Sequence, residues 1–333
     1  MIFHPAIIAL FLSSTLICFL MVYSSYFAVL IHRKWDLRNG SELQLIMERR
    51  TYLISTVLTY IFAFQILSFF LYIYTADRLH SLFVGAMCAA GTLQVNPYGY
   101  PALLLKIFNC LLAGLWLILN YTDNQAFDYP LIRTKYAFLL LLTPLLLTET
   151  FLQGAYFLNL QPNIITSCCG SLFSIGEKNF ASEIASLPSL PMKAGFYLSM
   201  GATGAVGLLF YLRNRGGYLF SALSVATFLI SIASLISFIS LYYYELPTHH
   251  CPFCILQEEY KHVGYLLYFL LFAGGISGSG VGILMPFRKM KSLAVFIPVL
   301  QKKLVWIALA TNFLFTVFVT YKMVFTDFTL GEF

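Results

Sequence analysis

Charge is what this sequence lacks most. Asp, Glu, Lys and Arg make up 10 % of its 333 residues, against 59 % hydrophobic residues and a mean hydropathy of +0.80. A soluble domain carries about 25 % charged residues, so this chain has too few to solvate a water-facing surface of its size. Lipid removes that difficulty, because apolar side chains can then face outward without cost. A basic patch is missing too. The net charge is +6, but the basic residues fall in short loops between apolar runs, which excludes a nucleic-acid-binding face. There is no low-complexity tract and no stretch that reads as a soluble domain. The first apolar run lacks a basic n-region and a clear small-residue cleavage site, and it is long. It is therefore expected to be a membrane anchor rather than a cleaved leader.

Apolar runs of roughly 20 residues, enough to cross a hydrocarbon core, are what the chain does have. Eight occur, near 5–31, 51–75, 101–120, 136–158, 192–212, 217–243, 262–284 and 304–322. The expected fold class is all-α, a polytopic helical membrane protein embedded in a lipid bilayer. Loops joining spans 1–2, 3–4, 5–6 and 7–8 hold 14 of the 20 Lys and Arg residues, among them Arg33, Lys34, Arg133, Lys135, Arg213, Arg288 and Lys303. Positive loops stay cytoplasmic, so both termini and the other connections are expected outside, on the periplasmic side of a bacterial inner membrane. Two charges fall well inside apolar runs, Lys106 and Glu149, at similar depth. An unpaired charge there is costly, so an ion pair between them is expected, with a proton relay or a quinone-polarising group as the functional alternative.

Five of the seven cysteines fall in the outer connections: Cys88, Cys168, Cys169, Cys251 and Cys254; Cys18 and Cys110 sit inside apolar runs as small hydrophobes. An oxidising compartment favours paired, redox-active or metal-bound cysteines. Cys251-Pro252-Phe253-Cys254 is a C-x-x-C, a spacing that lets one thiol attack a disulfide and the other resolve the product. At an outer helix start its first thiol would be accessible and acidified. A static disulfide or half of a metal site has the same spacing. Ile255 stands where covalent haem attachment requires His. Cys168 and Cys169 are vicinal, and adjacent cysteines more often take separate partners; one of them could pair with Cys88. The metal alternative gathers His249, His250, Cys251 and Cys254 with Glu259 and His262, whose E-x-x-H spacing aligns both side chains on a helix. Such thiolate and imidazole donors suit copper or zinc, in a metal-handling or transport protein. A third class is an integral subunit of a larger respiratory or transport complex, which the 17 % aromatic content also suits.

From Cys169-Gly170-Ser171-Leu172-Phe173-Ser174 through Leu190-Pro191 to the C-x-x-C, the second half resembles the vitamin K epoxide reductase family and, more distantly, bacterial disulfide-bond formation protein B. The resemblance covers about residues 136–284. It implies a four-helix thiol-redox core at 136–284, accessory helices in 1–135 and a further helix in 285–333. Under it, Cys251 and Cys254 are the pair beside a membrane quinone, and Cys168 or Cys169 carries electrons between that pair and a thioredoxin-like protein outside. The implied function is a membrane thiol-disulfide oxidoreductase. This sequence departs from the family in its vicinal loop cysteines, in the polar run Gln257–His262 after the C-x-x-C, and in a partial echo, Cys88 through Pro101, with no second C-x-x-C.

Overall fold

A computed structural model of the chain describes residues 3–35, 42–161, 164–166 and 187–328. Among them, eight helices are long and apolar enough to cross a membrane. The long helices are α1 (Pro5–Lys34), α2 (Glu42–Arg78), α4 (Gly99–Asp123), α5 (Ile132–Leu158), α6 (Ser189–Arg213), α7 (Gly217–Tyr244), α8 (Val263–Leu284) and α9 (Phe296–Val324); a six-residue helix α3 (Ala89–Gln94) lies between α2 and α4. The protein is thus an all-α polytopic membrane protein, with each expected span realised as a helix. Local chemistry sets the ends. Pro5 starts α1 at a position where its missing N–H is harmless, and the His4 ring accepts from the Ala6 amide. Asn214 and Gly216, both at positive φ, turn the chain from α6 into α7. Large apolar side chains such as Leu12, Phe19, Tyr60, Phe151, Leu198 and Phe313 are exposed, as lipid-facing residues should be.

The chain forms two compact units. The first holds residues 1–75, 93–161 and 287–297. Its core includes Ile17, Met21, Phe27, Leu58, Phe62, Trp116, Tyr136 and Leu139. The Phe62 and Trp116 rings meet at 4.7 Å. The expected ion pair is present there: Lys106 Nζ lies 2.6 Å from Glu149 Oε1. Gln65 Nε2 donates to both Glu149 oxygens at 2.8 Å, and Asn109 Nδ2 donates to Oε2 at 2.6 Å. A second buried pair, Lys135 with Asp123 at 2.6 Å, closes the turn between α4 and α5, where Asp123 also accepts from the Leu131 amide. The units divide the chain differently from the sequence reading, which began the second segment at residue 136. The reason is Glu149: it ties α5 to Gln65 of α2 and to Lys106 and Asn109 of α4.

The second unit holds residues 76–92, 162–286 and 298–333. Helices α7 and α8 approach closely along Gly275, Gly278 and Gly282, where an added Cβ at Gly278 would overlap Ser224; small residues let membrane helices approach this closely. Within α7, Leu235–Ile239 is a π-helical segment, a local widening that leaves backbone carbonyls in need of other partners.

Candidate functional site

Two segments of the second unit build the site. The first follows α2. A 3₁₀ turn at His80–Leu82 and Gly85 at φ 87° bring the chain to Cys88, just before α3. Asp77 Oδ1 accepts from the Ala89 amide at 3.3 Å, which holds the residue after Cys88. The Thr166 amide donates to Val84 O at 3.0 Å, and a Cβ at Gly85 would run into the Thr166 carbonyl. The approach of residue 166 therefore requires glycine at 85.

The second segment leaves α7 at Tyr244 through Glu245, at φ 56°. The Tyr244 hydroxyl donates to Cys251 O at 2.5 Å and accepts from the Ile255 amide at 2.8 Å, spanning the C-x-x-C from below. Tyr268 Oη donates to Pro252 O at 2.6 Å. Cys254 opens a 3₁₀ turn to Leu256, and a second turn spans Glu258–Tyr260. Gln257, between the turns, links the two segments: its amide donates to Met87 O at 2.6 Å and lies 3.5 Å from Asp77 Oδ1. A side chain following the C-x-x-C thus fixes the backbone of the residue preceding Cys88.

The result is a cluster of three sulfurs. Cys88 Sγ and Cys251 Sγ are 3.5 Å apart. The sulfurs of Cys88, Cys251 and Cys254 all lie within 4.8 Å of one another. The 3.5 Å contact is too long for a disulfide, about 2.05 Å, and is one of thiols in contact. All three residues are buried, at 0, 1 and 5 % exposure. His249 Nε2 is 3.2 Å from Cys254 Sγ, and its ring stands edge-on to Tyr244 at 4.6 Å.

Burial governs the electrostatics. Removal from water pushes the Cys251 thiol well above its ordinary range, and the Cys254 sulfur pushes it further; contact with Cys88 acts the other way. Burial lowers the His249 imidazole, with His250 adding to the effect, and burial lowers His250 as well. The structure thus differs from the expectation of an exposed, acidified thiol at a helix start. The C-x-x-C sits in a buried turn that ends nine residues ahead of where α8 begins at Val263, and no helix N-terminus lowers its thiols.

The other residues singled out in the sequence fall as follows. His250 does not join the three sulfurs within mutual ligand distance, and its Nδ1 donates to Ile236 O at 3.0 Å in the π-helical segment. Glu259 and His262 are exposed and share no helix, because Lys261 and His262 sit at φ 53° and 54°. The His262 ring instead donates to Leu256 O at 2.7 Å. Among the described residues, the donors within mutual ligand distance are the three cysteines alone. Cys168 and Cys169 lie outside the described residues. Cys88 was legible as an outer cysteine but not as a neighbour of the C-x-x-C; Asp77, Tyr244 and Tyr268 were not singled out, and Gln257 was noted only as the start of the polar run. The one available signal was the polar run after Cys254. Comparison with family models, curated proteins and solved structures gives no match for this chain.

Proposed function

We propose that the protein is a membrane thiol-disulfide oxidoreductase that passes electrons from non-cytoplasmic thiols to a membrane quinone. One observation carries the reading: a third sulfur, from Cys88, rests 3.5 Å from Cys251 of the C-x-x-C. Thiol exchange needs a sulfur that can meet one end of a disulfide, and a buried C-x-x-C has no use for such a neighbour if it is only a static crosslink. With Cys251 and Cys254 joined, the Cys88 thiolate attacks Cys251 sulfur. The Cys251–Cys254 bond breaks, a Cys88–Cys251 bond forms, and Cys254 leaves as thiolate. His249, 3.2 Å from Cys254, is positioned to exchange a proton with that sulfur. Reoxidation of two thiols to a disulfide sends two electrons and two protons to the quinone, which leaves as quinol. The surrounding membrane is the reservoir for that apolar acceptor. Cys168 and Cys169 follow Thr166, which is bonded beside Cys88 through Val84, so they are the route proposed between the cluster and a thioredoxin-like partner outside.

The test uses full-length protein in lipid vesicles containing quinone, with a dithiol as reductant. Cys251→Ala and Cys254→Ala should each abolish quinone reduction. Cys254→Ala should also accumulate a Cys88–Cys251 disulfide, visible by peptide mapping. Full thiol-dependent quinone reduction in both variants, or none in the wild type with any quinone, would sink the reading.

A further inference from the structure

We infer that the reduced cluster of Cys88, Cys251 and Cys254 is a three-coordinate site for Cu(I). This inference does not depend on quinone chemistry. It starts from the size of the sulfur triangle. A metal bonded to three thiolates at about 2.3 Å in a trigonal plane spaces the sulfurs about 4 Å apart. Here one pair is at 3.5 Å and all three are within 4.8 Å, so each sulfur reaches the trigonal arrangement by a shift of under about 1 Å.

The donor set selects the ion. Thiolates suit Cu(I), zinc and iron–sulfur clusters alike, so the coordination number decides: three thiolates in a plane suit Cu(I), whereas structural zinc takes four ligands in a tetrahedron. The obvious fourth donor is His249, whose Nε2 touches Cys254 Sγ at 3.2 Å. It does not belong to the group lying within 4.8 Å of one another, which among the described residues contains sulfur alone. Three coordination by soft donors is therefore what the sulfurs as placed offer, and a Cys₃His zinc site would need the His249 ring to move in.

The backbone around the sulfurs is also held in place, as a selective metal site requires. Tyr244 and Tyr268 fix the carbonyls of Cys251 and Pro252, at 2.5 and 2.6 Å. Gln257 and Asp77 hold the residues on either side of Cys88. The two ligand segments lie 163 residues apart in sequence, yet the side chain of Gln257 ties them together directly. Burial keeps water and oxygen from the ion.

The experiment titrates purified, full-length, reduced protein with Cu(I) under anaerobic conditions, against a chromogenic Cu(I) chelator, and records X-ray absorption at the copper edge. The Cys168→Ser/Cys169→Ser background removes the vicinal pair as a competitor. One copper per chain with three sulfur neighbours at about 2.3 Å is expected. Cys88→Ser, Cys251→Ser and Cys254→Ser should each weaken binding at least about tenfold, while Cys18→Ser and Cys110→Ser leave it unchanged. Far-UV circular dichroism separates lost ligation from lost folding, and the absorption spectrum of the background protein decides the matter without any ligand variant. Copper that disappears in the Cys168→Ser/Cys169→Ser background, a spectrum dominated by nitrogen neighbours, or zinc held more tightly than Cu(I) would overturn the inference. No quinone is present, so a failed oxidoreductase reading leaves this result standing, and a failed copper result leaves that reading untouched.

Discussion

Breaking the buried Lys106–Glu149 pair from one side should cost the first compact unit much of its stability, while removing both charges together should not. Glu149 accepts from Lys106 at 2.6 Å, from Asn109 at 2.6 Å and twice from Gln65 at 2.8 Å. Lys106 also faces the Tyr72 ring at 5.3 Å and Ser68 Oγ at 3.4 Å. Lys106→Met removes the only cation bonded to the carboxylate among the described residues and leaves a buried negative charge held by amides. Glu149→Gln removes the carboxylate and strands the ammonium. Each single change therefore falls in the class that costs about 3–5 kcal/mol, the loss of one partner of a buried ion pair. The double variant carries no charge, and the amide oxygen that replaces the carboxylate can still accept from Gln65 and Asn109. It should be more stable than either single variant, and because each single costs about 3 kcal/mol or more, the coupling energy should be at least about 3 kcal/mol. Unfolding in mixed micelles with a denaturing detergent, followed by fluorescence, measures this; Trp35 and Trp116 both lie in this unit's core. Single variants within about 1 kcal/mol of wild type, or a double variant as unstable as the sum of the singles, would refute the argument.

Three other outcomes are expected. Glu258→Cys, on the exposed turn after the C-x-x-C, should react with an impermeant thiol reagent in intact cells, and Arg215→Cys only after the inner face is opened; the reverse would invert the proposed orientation. Alkylation of Cys251 in reduced protein should keep accelerating above pH 10, where an ordinary thiol of pKa 9.0 is already about nine-tenths ionised, because burial raises this thiol; a plateau reached by pH 10 would contradict that. Burial lowers His249 and His250 from 6.5, so below about pH 6.5 the unfolded chain binds protons that the folded chain refuses. Stability should therefore fall as pH drops from there toward the folded values, and His249→Gln should flatten the decline in a pH series of melting curves.

The membrane architecture was legible because its cause is distributed over the whole chain. Each span needs only about 20 apolar residues, and no single side chain decides it. The Lys106–Glu149 pair was legible for a related reason: few charges enter the apolar runs, and two at equal depth have few other partners. The grouping of the helices was less so. Nothing in the pattern of residues 136–158 says that this helix belongs with α1, α2 and α4. That follows from Gln65 and Asn109 reaching the Glu149 carboxylate, and hydrogen-bond direction leaves no trace in hydropathy.

The site shows the same limit more sharply. A C-x-x-C announces itself through spacing, but whether its thiols are acidified depends on what surrounds them, and here the surroundings are a buried turn rather than a helix start. His249, His250, Glu259 and His262 looked equivalent as possible ligands because all are near the C-x-x-C in sequence. Two left-handed residues, Lys261 and His262, break the helix that would have aligned Glu259 with His262. A widened turn in α7 takes up His250 through the Ile236 carbonyl. The sulfur that does join the pair comes from Cys88, which no local spacing could connect to it. What connects them is Gln257, in the polar run that follows the C-x-x-C. Its amide donates to Met87 O at 2.6 Å. The chain thus uses this run to hold a second segment, and with it a third sulfur, against the first two. Both chemistries proposed for the site need that third sulfur, so Gln257→Ala, which removes the tie without touching a thiol, should weaken copper binding and disulfide exchange together.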